Sequence, residues 1–387
     1  MNVKSRLILP LIPFICLSVF AQTGEYSRLG SQAAASTDSI ANSIAVSMDD
    51  NILAAHVLLT GMDGRLSLTD DMRFLLERIP AGGVMLFRYN LNSSKDEVKE
   101  LLSEVTDLIA LKTDIPPFIA VDHEGGLVHR FGPGVERLPS AFSFWELAQK
   151  EGREAALARA ETLYTRSARE IRELGITMVL GPVAEILDDK NRLFLETRSY
   201  GSDADFTGAA ASVFIKSMET AGIACVLKHF PGNSAADPHD GVSYLNAGKD
   251  LLDEMVIPFT GIINDLEVPA VMLSHVILPA LERKNASLSK AVIQDWLRGE
   301  LGFKGIVIAD DFSMGAIAAS GLSPAAAAVE ALNAGVDMIM VWPKDLRTVH
   351  ASILDALGSG HLSRERLLEA AGRVLAEKIR FGLVDVH

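Results

Sequence analysis

The chain predicts a single (β/α)8 barrel, an α/β fold of the TIM-like kind. Three observations carry the prediction. Eight short apolar runs recur along the chain, separated by helical patterns. Each run is continuous rather than alternating, as parallel strands covered on both faces require. No glycine fingerprint follows the first run, which weakens the alternative of a doubly wound sheet. Eight βα units close most naturally into a barrel.

In order, the runs are His56–Leu59, Gly83–Phe87, Phe118–Val121, Thr177–Leu180, Ala224–Leu227, Ala270–Leu273, Gly305–Ala309 and Met338–Val341. Helices between them carry start and stop signals. Thr69 precedes Asp70 and Asp71, carboxylates suited to a first turn. Ser94 opens a helix from Lys95 to Leu111. Ser289 precedes a helix that Gly302 ends. Pro324 opens another, stopped by Gly335, and a last helix runs from Ser363 to Arg380.

Of the 387 residues, 49% are hydrophobic and 22% charged, which is enough apolar side chain for one large core. The formal net charge of −14 argues against a nucleic-acid partner and against a polyanionic membrane face. Lys4 and Arg6 precede an apolar run from Leu7 to Phe20, and Val19-Phe20-Ala21 offers small residues for cleavage. Residues 1–21 therefore read as a secretory signal. The run is short for a bilayer and holds Pro10 and Pro13, so no stable span is expected after processing. An uncleaved anchor, or a lipid on Cys16, is the alternative. The expectation is an exported, periplasmic protein. Residues 22–51, rich in Ser and Ala, read as a tether or a loosely held first helix. Residues 52–387 read as the barrel domain. With the signal removed, Cys225 is the one cysteine left, in an apolar run, and reads as a buried inert thiol.

Barrel enzymes keep their chemistry at the C-terminal ends of the strands. Here the third run ends in Asp122-His123-Glu124, the fifth in Lys228-His229, the sixth in Ser274-His275, the seventh in Asp310-Asp311 and the eighth in Trp342. Buried ionisable groups are costly unless paired, so their gathering at strand ends points to a site. A metal is one reading, with His123, His129, His229, His239 and His275 as donors. No pair has the spacing of a dedicated metal site, and Gly125-Gly126 is a turn rather than a phosphate loop. No metal and no cofactor are expected. Cleavage of a sugar linkage fits better, since it needs a fixed carboxylate and a proton donor on opposite sides of a glycosidic bond. Asp310, rooted at a strand end, suits the nucleophile. Asp237 and His239, on the loop after the fifth run, suit a proton shuttle in which the carboxylate orients the imidazole. Asp122, Arg130, Arg198, Lys228 and His229 are types that clamp hydroxyls or an amide.

At these residues the chain resembles glycoside hydrolase family 3, in particular the single-domain β-N-acetylhexosaminidases of bacterial peptidoglycan recycling. The motifs that carry the resemblance are Gly82-Gly83-Val84-Met85-Leu86-Phe87, Val121-Asp122-His123-Glu124-Gly125-Gly126, Glu196-Thr197-Arg198-Ser199-Tyr200-Gly201, Lys228-His229-Phe230-Pro231-Gly232 and Asp310-Asp311-Phe312-Ser313-Met314. The resemblance implies a retaining exo-glycosidase acting on terminal β-linked N-acetylglucosamine. Asp310 matches the nucleophile, His239 the acid/base and Asp237 its partner. Asp122, Arg130, Arg198, Lys228 and His229 match sugar-binding positions. A β-glucosidase, a phosphorylase of the same family, or a sugar-binding protein that has lost catalysis are the alternatives. The chain departs from the family pattern in a short Asn233–Ala236 segment, in Pro238 between Asp237 and His239, and in Leu127.

Overall fold

A computed structural model describes residues 36–234 and 241–386. Eight parallel strands close into a barrel: β1 (Leu58–Gly61), β2 (Gly83–Leu86), β3 (Phe118–Gly125), β4 (Met178–Val183), β5 (Ala224–Phe230), β6 (Ala270–Leu273), β7 (Ile306–Ala309) and β8 (Met338–Val341). Each pairs with its sequence neighbour, β8 pairs with β1, and β2 with β3, so no edge of the ring stays open. The doubly wound alternative is thereby excluded.

Alternation along each strand explains the unbroken apolar runs. Leu59, Met85, Ala120, Leu180, Val226, Met272 and Ile308 fill the barrel interior. Their neighbours Leu58, Val84, Val121, Val179, Cys225, Val271 and Val307 pack outward against the helices. Both faces are dry, so neither admits polar residues. Burial pushes the Cys225 thiol well up, which makes it a poor nucleophile.

Several expected helix caps are in place. Thr69 accepts from the Met72 N–H, and Ser94 with Glu97 forms a reciprocal capping box. Ser289 accepts from the Val292 N–H, and Ser363 from the Arg366 N–H. The Pro324 helix is capped by Ser323 and ends at Gly335, whose φ of 118° suits glycine. The first strand starts later than the apolar run suggests, because His56 completes a helix, Asp50–His56, capped by Asp49. The signal expected at 1–21 lies outside the described residues. Residues 36–47, within the segment expected as a tether, form a helix that buries Ala41 and Ala45, a small-residue pair one turn apart.

The floor of the barrel is closed by the last helix, Arg364–Arg380. Its Val374 enters the interior cluster, with Phe381 and Leu383 packed against it. Fully buried Asp337 ties this floor together by accepting from Arg298, Arg366 and Arg373 and from the Val307 N–H. Lys378 is the exception. It is fully buried, its Nζ has no hydrogen-bond partner among the described residues, and it lies 5.6 Å from the Phe118 ring centroid. Burial pushes its ammonium well down. The unfolded chain therefore binds the proton more tightly, and stability lost at neutral pH returns as pH rises towards the ordinary lysine range. Lys378→Met is expected to stabilise the fold by on the order of 1–3 kcal/mol at neutral pH. The gain should shrink in alkaline buffer, as urea denaturation across pH would show. An unchanged or lowered midpoint would mean that Lys378 is satisfied in solution.

Candidate active site at the strand ends

One buried lysine organises the charged part of the site. Lys228, near the end of β5, places Nζ 2.8 Å from Asp122 Oδ1 and 2.7 Å from Glu124 Oε1, both on β3. Arg130 approaches the other Asp122 oxygen at 3.3 Å. Arg198 grips Glu124 through Nε at 2.8 Å and Nη2 at 3.0 Å, a two-pronged pairing suited to a planar guanidinium. Arg130, Asp122, Lys228, Glu124 and Arg198 thus form one continuous chain of alternating charge. Burial alone would push Asp122 up, but Lys228 and Arg130 more than reverse this and hold it below the usual carboxylate range. Glu124 is held far below that range, its burial outweighed by Arg198 and Lys228. Burial would lower Lys228, yet Asp122 and Glu124 raise it instead. Asp122, Glu124, Lys228 and Arg198 are therefore charged at neutral pH.

His229, the next residue on β5, is held separately. Its Nδ1 lies 2.6 Å from Glu185 Oε1. Glu185 is almost fully buried beyond the end of β4, and it also accepts from the Asn233 N–H at 2.6 Å and from Asn233 Nδ2 at 3.0 Å. One carboxylate therefore fixes both the imidazole and the start of the loop that follows Gly232. The bond joining Lys228 to His229 is cis, as are Gly181–Pro182 and Phe230–Pro231.

Asp310 directly follows β7 and is half-buried, with Oδ1 accepting from the Asp311 N–H at 2.8 Å. Asp311 is braced by the Ser313 N–H and hydroxyl and by the Trp342 indole N–H. His275 follows β6 and is within electrostatic range of both Asp310 and His229. Its Nε2 is 3.1 Å from the Asp311 carbonyl, which can only accept, so Nε2 carries the proton and Nδ1 accepts from Ser287 at 2.8 Å. Burial lowers its pKa, with Asp310 opposing, so it is a neutral, orienting group.

Six of the eight expected residues are thus placed: Asp122, Arg130, Arg198, Lys228 and His229 line one side of the mouth, and Asp310 sits at the end of β7. Asp237 and His239 fall in 235–240, outside the described residues. Sequence reasoning left out Glu124 and Glu185. Glu124 stood in the quoted strand-end motif, where a buried carboxylate demands a cation. Glu185 lies five residues beyond the fourth apolar run, which ends at Leu180, whereas the strand continues to Val183. Of the histidines weighed as metal donors, His123 bonds Ser167 at 2.7 Å and is lowered to about 3 by burial and by His129. Among the described residues no group of three or more His, Cys, Asp or Glu is placed to hold a metal ion.

Removing the Glu185 carboxylate would orphan the buried Asn233 N–H and release the His229 ring. Glu185→Ala is expected to lose about 1–3 kcal/mol of stability per orphaned group. Glu185→Gln should recover part of this, because an amide oxygen can still accept from Asn233. Chemical denaturation of both variants checks it; equal stability of all three proteins would show that water replaces the carboxylate.

The model of the glycosyl hydrolase family 3 N-terminal domain matches residues 56–376. A β-hexosaminidase of Methylococcus capsulatus is 36% identical over 296 residues, covering 75% of this chain and 83% of that protein. One of Stenotrophomonas maltophilia is 32% identical over 330 residues, covering 81% and 95%. Among solved structures, a family 3 β-N-acetylglucosaminidase from Paenibacillus superposes with a TM-score of 0.82 at 30% identity. That match covers 88% of this chain and 64% of the other, so the chain spans less than two thirds of that larger protein. A family 3 glycosyl hydrolase from Mycobacterium smegmatis superposes at 0.73 with 27% identity, over 86% and 98% of the two chains.

Proposed function

Because the chain belongs to glycoside hydrolase family 3 and is a glycoside hydrolase of the β-N-acetylhexosaminidase kind, we propose that it removes terminal β-linked N-acetylglucosamine with retention of configuration. The observation that supports this reading is the charged chain from Arg130 to Arg198 together with Asp310 at one barrel mouth. Fixed donors and acceptors on β3 and β5 suit the hydroxyls of one terminal pyranose. In the proposed reaction, Asp310 attacks the anomeric carbon while the glycosidic C–O bond breaks. The leaving oxygen takes its proton from the His239 imidazolium, oriented by Asp237. Water then attacks the same carbon, His239 takes its proton, and the bond to Asp310 breaks. Substrates derived from peptidoglycan or chitin carry the required terminal residue.

Aryl β-N-acetylglucosaminide and aryl β-glucoside, offered to the purified protein, separate the proposed specificity from a β-glucosidase. Release of aglycone from the first is expected to dominate. No release from either, by protein shown to be folded, would refute the reading. A rate that depends on phosphate would reassign the second step to phosphorolysis. We also propose export, on the Lys4/Arg6 and Leu7–Phe20 pattern. Among the described residues no helix is long and apolar enough to cross a membrane. Mass spectrometry of the N-terminus after expression in a bacterial host would reveal cleavage after Ala21.

A further inference from the structure

Glu185 is a buried carboxylate at the mouth that the reaction above leaves without a task. Its side chain is 1% exposed. It stands two residues beyond β4, and its backbone is tied on both sides. The Ala184 N–H donates to the Lys228 carbonyl at 2.8 Å, and the Ser199 hydroxyl donates to the Glu185 carbonyl at 2.7 Å. Its Oε1 lies 2.6 Å from His229 Nδ1. Its Oε2 accepts from the Asn233 N–H at 2.6 Å, and Asn233 Nδ2 stands 3.0 Å and 3.2 Å from the two oxygens. The carboxylate is therefore held from several directions and cannot turn away from the imidazole. Phe194 packs beside that imidazole, with ring centroids 6.3 Å apart, and restrains the ring as well.

An ionised carboxylate only accepts hydrogen bonds, so Nδ1 of His229 carries a proton. In the neutral ring the other nitrogen, Nε2, then holds a lone pair and accepts. That polarity is scarce on the charged side of the mouth. Lys228, Arg130 and Arg198 only donate. Each oxygen of Asp122 and Glu124 already accepts from one of them. A sugar hydroxyl is both acceptor and donor. Where its oxygen takes a hydrogen bond from a cation, its proton needs an acceptor, and His229 Nε2 supplies one. The demand grows during cleavage, because positive charge developing on the sugar ring makes its hydroxyls stronger donors.

We propose that Glu185 is a positioning residue for turnover: it locks His229 in the Nδ1–H tautomer, and Nε2 accepts from one hydroxyl of the terminal sugar. The inference rests on the glycosidase reading and deepens it, since it makes that hydroxyl a requirement on the substrate.

The test is Glu185→Gln, which keeps the shape of the side chain. With its oxygen held by the Asn233 N–H, its amide nitrogen faces Nδ1, so the imidazole must carry its proton on Nε2 instead. Nitrogen NMR of isotope-labelled histidine reads this directly, with the His229 signal identified by its loss in His229→Ala. The proton is expected on Nδ1 in the wild type and on Nε2 in Glu185→Gln. Kinetics compare an aryl β-N-acetylglucosaminide with its analogues lacking the hydroxyl at C3, C4 or C6. On the full sugar, Glu185→Gln is expected to lower kcat/KM about 10- to 100-fold. On one analogue, which lacks the partner hydroxyl, the substitution should cost under about threefold. His229→Ala, which leaves Glu185 in place, should single out the same analogue. A merely structural role would lower all four substrates alike. Equal losses on all four, no loss on the full sugar, or a wild-type ring protonated on Nε2 or on both nitrogens overturns the proposal. If the wild type cleaves none of them, the glycosidase reading fails by itself. The proposal is then judged by the spectra and by calorimetric titration with N-acetylglucosamine, where binding insensitive to Glu185→Gln also overturns it.

Discussion

Asp310→Ala should reduce turnover of N-acetylglucosaminides by about 10⁴-fold or more, the scale seen when a covalent nucleophile is removed. The expectation follows from placement. Asp310 directly follows a strand whose neighbours are fixed on both sides, and its Oδ1 is held by the Asp311 N–H. Nothing else at the end of β7 can replace it: Asp311 is occupied by Ser313 and Trp342. The fold should survive, because Asp310 is only half-buried. Two measurements separate a nucleophile from a merely supportive carboxylate. A 2-fluoro glycosyl substrate should label the wild type on the peptide bearing Asp310 and leave the variant unlabelled. Azide added to the variant can enter the vacated space and attack from the same face, giving a glycosyl azide of inverted configuration. Labelling elsewhere, or an activity loss under about tenfold, would assign the nucleophile to another residue.

How far the sequence could be read depended on whether each feature was local. The strands were legible because burial on both faces removes polar residues, so Ala270–Leu273 and Met338–Val341 coincide with their apolar runs. Helix starts at Thr69 and Ser363 were legible because a cap is a contact over three residues. Strand ends were less so. Lys228 and His229 lie inside β5, although as polar residues they end the apolar run. Pairing was not legible at all. Arg198 was expected to reach a sugar, and the structure gives it first to Glu124, 74 residues earlier in the chain. Glu185 meets His229 and Asn233 only through adjacency of β4 and β5. The stacking of Phe87 on Trp342 shows the same limit more sharply. The two residues carry no common motif, and only closure of β8 onto β1 brings them together. Sequence thus revealed which residues could do chemistry, while barrel closure decided which of them share a partner.

Lys228→Met should be the most damaging change to the charged side of the mouth, in stability as well as turnover. The side chain is 3% exposed and its ammonium bridges two carboxylates from one strand. Methionine fills similar volume, so packing is largely kept and the effect isolates the charge. Without the bridge, Asp122 and Glu124 face each other with Arg130 and Arg198, among the described residues, left to compensate. Breaking such a buried pairing costs about 3–5 kcal/mol. The pH dependence fixes the cause. In the wild type both carboxylates are held below their ordinary range, so the stability they contribute is present above the unfolded pKa and is lost only as pH falls through the lower folded one. In the variant the lost cation raises those folded values, and mild acid lets one carboxylate take a proton and relieve the repulsion. The stability gap between the two proteins should therefore narrow from pH 7 to about pH 5. A gap that stays constant would attribute the loss to packing. Lys228→Arg tests geometry in turn: it restores charge, but a planar fork cannot stand as a point between two carboxylates, so stability should recover further than kcat/KM. If Arg restored both equally, the position would need only a positive charge, and the short bridging contacts to Asp122 and Glu124 would have no part in placing the sugar.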